Sequence, residues 1–154
     1  MSSINLNALC NAYENGTWSR RFYLDVHTGT VVTVTEAERM LLQDLYDEFG
    51  EDSAEIPPPL QQAHAVELDD ERFLKVPACP QASLATLRDN FSETVSQPLR
   101  RLLWRALDAN DGAGFERMLG LESAELKRWH TFKQAAFETT LNAWLSKNKH
   151  ETRM

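Results

Sequence analysis

Two groups of residues in this sequence have the types and spacing to do chemistry. The first lies between Leu99 and Leu107, where Leu99, Leu102, Leu103, Ala106 and Leu107 form a narrow apolar stripe at helical spacing. At about 100° per residue, Arg100, Trp104, Arg101 and Arg105 fall roughly 100°, 140°, 200° and 240° from Leu99, which sets a tryptophan among three arginines on the polar arc. Tryptophan and arginine dominate the energetics of protein interfaces, and the same two residue types make a stacking platform for single-stranded nucleic acid. Three readings are open for this face: a protein partner, a nucleic acid, or plain packing of Trp104 under the Pro-rich loop or another helix with the arginines in solvent.

The second group lies on a long helix expected from Ser123 to Lys147. Leu126, Trp129, Phe132, Ala136, Phe137, Leu141 and Trp144 share one face, and Lys133 and His130, at about 340° and 40° from Leu126, fall inside it. Desolvation lowers the pKa of a lysine or histidine towards neutrality and makes a base or nucleophile, so a small enzyme working through Lys133 and His130 is one reading. The preferred reading is structural: Lys133 lays its methylenes over the core to reach a carboxylate, and His130 donates to a backbone carbonyl.

Other chemistries lack a pattern. His27, His64, His130 and His150 are scattered, there is no HExxH, and Asp69-Asp70-Glu71 lacks the alternation of a calcium loop, so no metal is expected. Gly112-Ala113-Gly114 follows a helix and not a strand, which argues against a phosphate loop or a dinucleotide fold, and no cofactor is expected. No catalytic residue can be assigned from spacing. Cys10 and Cys79 are far apart and read as buried or idle thiols.

Bulk properties place these groups on a folded chain. With 42% hydrophobic and 25% charged residues over 154 positions, the composition is globular, and one core over residues 1–150 with a disordered tail at 151–154 is expected. No apolar run is long enough to span a membrane, and the first residues lack the charged and apolar regions of a secretory signal, so the expected setting is the cytoplasm. The net charge of −7 is uneven: residues 1–96 hold 6 Lys/Arg against 16 Asp/Glu, and residues 97–154 hold 10 against 7. A basic second half would suit an anion, although solvated helix faces give the same count.

The elements that must position these residues follow from period and punctuation. Ser2 or Ser3 caps a first helix that ends at Asn15-Gly16. Phe22–Val26 and Thr30–Val34 are β-prone runs joined at His27-Thr28-Gly29, with Gly29 in the left-handed turn position. Thr35 and Glu38 form a capping box ahead of Leu41, Leu42, Leu45, Tyr46 and Phe49, a helix that stops at Gly50. Residues 51–60, acidic and then carrying Pro57-Pro58-Pro59, read as an exposed extended loop. Ala65–Leu68 and Arg72–Val76 make a second hairpin, unless Gln61–Leu68 is helical. From Leu84 onward every apolar cluster repeats at three or four residues, with stops at Pro98, Asn110-Asp111-Gly112 and Gly120. The class is therefore α+β: an N-terminal helix, two short antiparallel hairpins with a helix between them, and an all-helical second half whose last helix docks through Trp129, Phe132, Phe137 and Trp144, with Trp144 the critical anchor.

Several strings, taken in order, resemble a widespread bacterial family of uncharacterised proteins along nearly the whole chain. They are Leu6-Asn7-Ala8-Leu9 with Ala12 and Glu14, Tyr23-Leu24-Asp25 with Thr28-Gly29, Arg72-Phe73 before Val76-Pro77, Phe91, Gly112-Ala113-Gly114-Phe115, Trp129-His130-Thr131-Phe132-Lys133, and Trp144-Leu145. The resemblance implies a fold and a bacterial cytoplasmic setting but no catalytic residues. The chain departs from it at Glu116, Met118 and Leu119, where the family has basic and aromatic residues, and this weakens any phosphate site there. The leading expectation is a non-enzymatic interaction or regulatory module using Arg100, Arg101, Trp104 and Arg105 towards a protein. A nucleic-acid binder through the same face is the alternative.

Overall fold

Asn5 opens the first described element. Its side chain accepts from the Ala8 amide at 3.0 Å and caps α1, Leu6–Asn15; Ser2 and Ser3, the expected caps, lie outside the described residues. The computed structural model describes residues 4–51 and 55–152, with 149–152 as backbone only. After α1, strands β1 (Arg20–Asp25) and β2 (Thr30–Thr35) pair antiparallel, Arg20 opposite Thr35 and Asp25 opposite Thr30. The turn between them puts Gly29 at φ 76°, a conformation that a side chain with a Cβ would strain.

The chemistry of the β2 end starts the next helix directly. The Thr35 hydroxyl accepts from the Glu38 amide at 3.2 Å while the Glu38 carboxylate accepts from the Thr35 amide at 2.8 Å, a complete capping box for α2, Glu36–Phe49. Leu42 is buried and Leu45 and Tyr46 are half-buried on its inner face, whereas Leu41 and Phe49, expected on that face, are exposed together with Met40. Leu41 is about 100° from Leu42 around the helix, and Phe49 belongs to its last turn.

The second hairpin does not form. The exposed extended loop expected over 51–60 does not hold at its end: residues 52–54 lie outside the described residues, Pro58–Leu60 is a single 3-10 turn whose Leu60 is buried, and Gln61–Leu68 continues as α3, the helical alternative for that segment. Ala63 and Val66 are the residues α3 buries, at helical spacing. Phe73–Lys75 forms β3 and pairs antiparallel with the other edge of β1, Tyr23 opposite Lys75, so the sheet order is β2-β1-β3. Val34, Leu42, Leu60, Ala63, Val66 and Phe73 close one core under α2 and α3, and α1 lies against β2.

Beyond residue 80 the chain is helical, and the fold is α+β. The helices are α4 (Gln81–Ser92), α5 (Leu99–Asp108), α6 (Gly112–Leu119) and α7 (Ser123–Thr152). The last runs past its expected end at Lys147 into the segment expected as a disordered tail; Arg153 and Met154 lie outside the described residues. Two compact units result, Met1–Ala78 with Leu145–Met154 and Cys79–Trp144. In the second unit Trp129 is 0% exposed at the centre of an aromatic cluster, with ring centroids 5.3 Å from Phe91, 5.2 Å from Phe115 and 6.2 Å from Phe132. Trp144, expected to be the critical anchor, is only half-buried, and that role passes to Trp129.

Candidate functional site

The apolar stripe of α5 does what its spacing predicts: Leu99, Leu103 and Ala106 are buried, and Leu102 and Leu107 pack against the same core. Burying that stripe turns the opposite arc outward. Trp104 is 39% exposed, so the packing reading of this side chain is incomplete, and Arg101 and Arg105 are exposed beside it. Among the described residues no carboxylate lies within ion-pair distance of Arg101 or Arg105.

Arg100 behaves differently from the other two. Its Nε donates to the Val95 carbonyl at 2.9 Å and its Nη2 to the Glu93 carbonyl at 3.4 Å, so it caps the turn that follows α4. Held there, its guanidinium sits 5.7 Å from the Trp104 ring centroid, a cation–π contact on one face of the indole. The structure thus brings together all four residues of the arc but divides their work: Arg100 steadies the tryptophan, while Arg101, Trp104 and Arg105 present one aromatic and two uncommitted positive charges.

The second group separates. Lys133 is 9% exposed and its Nζ lies 3.5 Å from Glu116 Oε1 and 5.7 Å from the Trp129 ring centroid, while Glu116 Oε1 also accepts from the Trp129 indole at 3.3 Å. The ammonium therefore finds a carboxylate, as the structural reading holds. His130 is exposed on α7 and not on its buried face, because at about 100° from Trp129 it has turned away from the cluster. The two do not form a joint site.

Three arrangements were not legible as chemistry in the sequence. Asp25 is 5% exposed and takes a bidentate pair of bonds from Arg72, Nε at 3.0 Å and Nη2 at 2.9 Å, plus the His27 amide at 3.0 Å. The Arg72 hydrogen bonds, with the His27 amide and Thr28, outweigh desolvation and lower its pKa to about 2. This pair joins the hairpin to the segment entering β3. The Tyr46 hydroxyl lies 2.8 Å from His64 Nδ1 between α2 and α3, but burial, with Glu67 and Glu51 adding to it, raises the phenol pKa. That direction keeps the phenol protonated and opposes use as a nucleophile or base. At the start of α6, the Asp111 carboxylate accepts from the Gly114 amide at 2.8 Å, so an amide that a phosphate would use is already taken. A Cβ at Gly114 would run into that carboxylate.

No protein-family model, curated protein or solved structure matches this chain. Among the described residues, no helix is long and apolar enough to cross a membrane.

Proposed function

We propose that the protein is a non-enzymatic interaction module of the cytoplasm that binds a protein partner through Arg101, Trp104 and Arg105 of α5. The observation that carries this reading is the indole of Trp104, part-exposed and held against Arg100 between two unpaired arginines. A pre-positioned aromatic side chain loses little entropy on binding, and a rim of arginine recruits carboxylates from the partner. The titratable candidates support no competing catalytic reading, since Lys133 is paired with Glu116 and His130 stands apart from it.

The test is affinity capture from a bacterial lysate with and without nuclease, comparing the parent chain with Trp104→Ala and with Arg101→Ala/Arg105→Ala. Loss of an anchor of this kind weakens binding by about 30-fold or more, enough to empty the bait of its partner. Retention of every partner at unchanged strength by both variants would reduce the face to solvated surface. A partner lost both on nuclease treatment and with Trp104→Ala would assign the face to nucleic acid.

A further inference from the structure

A second surface carries an inference that is independent of the α5 face. Thr17 and Arg20 exchange both backbone hydrogen bonds, at 3.0 and 3.3 Å, and close a two-residue turn with Trp18 and Ser19 at its tip. Hydroxyl contacts stiffen it further, Thr17 Oγ1 with Ser19 Oγ at 3.1 Å and with the Arg20 amide at 3.2 Å. Trp18 is 77% exposed, more than any other large apolar side chain among the described residues. On the other side, the Val76 amide donates to Phe22 O at 2.9 Å and holds Lys75–Ala78 alongside β1. Between turn and strand end lies a groove of about 460 Å³ lined by Trp18, Arg20, Arg21, Phe22 and Lys75, with Pro77 at one side.

Charge picks the ligand class. Residues 1–96 contain only 6 Lys/Arg against 16 Asp/Glu, yet Arg20, Arg21 and Lys75 all line this groove and, among the described residues, no carboxylate does. Among the described residues none of the three has an ion-pair partner. Unpaired cations lining one groove of an acidic stretch of chain favour an anion there, with the surrounding repulsion screened within about 10 Å at ordinary salt. The exposed indole adds a second feature, a flat apolar face on which a nucleobase can stack whatever its sequence. A groove of this volume also suits a narrow ligand better than a folded surface. We infer that the groove formed by Trp18, Arg20, Arg21 and Lys75 binds single-stranded nucleic acid, with a base stacked on Trp18 and phosphates at the three cations.

The experiment measures binding of fluorescein-labelled 12-mers of uridylate and thymidylate to the full chain by anisotropy, from 50 to 200 mM salt. Three phosphate contacts on a single strand give a slope of about −2 in log affinity against log salt, a fall of roughly 20-fold over that range. Trp18→Ala weakens binding by about 5- to 150-fold, Trp18→Phe recovers part of it, and Arg21→Gln with Lys75→Gln flattens the slope to about −0.7. Trp104→Ala leaves oligonucleotide binding unchanged, which keeps this site separate from the α5 reading. Trp18 is exposed enough that its truncation should not unfold the chain; if it does, Trp18→Phe and the Arg21/Lys75 pair decide the matter. Absence of saturable binding to either oligomer at 50 mM salt would overturn the inference, as would Trp18→Ala binding like the parent. Displacement of the oligomers by polyglutamate at equal charge concentration would also overturn it and assign the groove to an acidic peptide.

Discussion

Trp129 and Trp144 lie on one helix and on one arc of its wheel, yet the first is sealed in the Phe91, Phe115 and Phe132 cluster and the second is half-buried. A wheel orders side chains by direction and gives no depth along the axis, which is why the sequence pointed to Trp144 as the anchor. Truncation of a fully buried tryptophan removes both its transfer free energy and its neighbours' contacts, so Trp129→Ala is expected to cost about 3–5 kcal/mol. The half-buried Trp144→Ala is expected to cost less, about 1–2 kcal/mol. Urea denaturation of the two variants checks this order, and equal losses would contradict it. His130 misled for a related reason: its approximate angle put it within the apolar arc, but the buried sector is narrower than the arc drawn from sequence.

At the scale of elements, features whose chemistry is local were legible and those that depend on a distant partner were not. The capping box needs only Thr35 and Glu38, and it is present with both bonds made. Thr35→Ala is expected to destabilise the chain by about 1 kcal/mol, with Thr35→Ser close to the parent, as measured by thermal unfolding followed by circular dichroism. Gly29 was legible for the same reason, since the turn it completes lies within a few residues. The assignment of residues 61–68 was not, because Ala65-Val66-Glu67-Leu68 fits a strand or a helix by pattern, and the edge that receives β3 belongs to β1, far back in the chain. The groove under Trp18 was hidden by the same gap: Arg20 and Arg21 were visible as cations in an acidic half, but only the β1–β3 pairing, with Lys75 opposite Tyr23, brings Lys75 to the same groove.

For the molecule as a whole, the uneven charge resolves into specific placements. The buried Asp25 carboxylate, held by Arg72, has its pKa lowered to about 2 from an ordinary 3.8. A depressed carboxylate stabilises the fold above its unfolded pKa and loses that contribution as pH falls through the folded value. Arg72 is partly exposed, so solvent screens the pair, and the contribution at neutral pH is about 1–2 kcal/mol. Between pH 5 and pH 2 the parent should therefore lose about that much more stability than Asp25→Asn, measured by urea midpoints across the range. Parallel acid limbs would show that the pair does not couple to folding. The positive excess of residues 97–154 likewise divides, with Lys133 and Arg128 paired to Glu116 and Glu125 while Arg101 and Arg105 face solvent beside Trp104. The role of that face is read most directly from the dissociation constant of the captured partner for the parent and for Trp104→Ala at 50 and 200 mM salt. A protein interface anchored on the indole predicts a loss of about 30-fold or more on truncation and a change of less than about threefold across the salt range. An affinity unaffected by Trp104→Ala, or one that falls by about tenfold or more with salt through phosphate contacts, would contradict it.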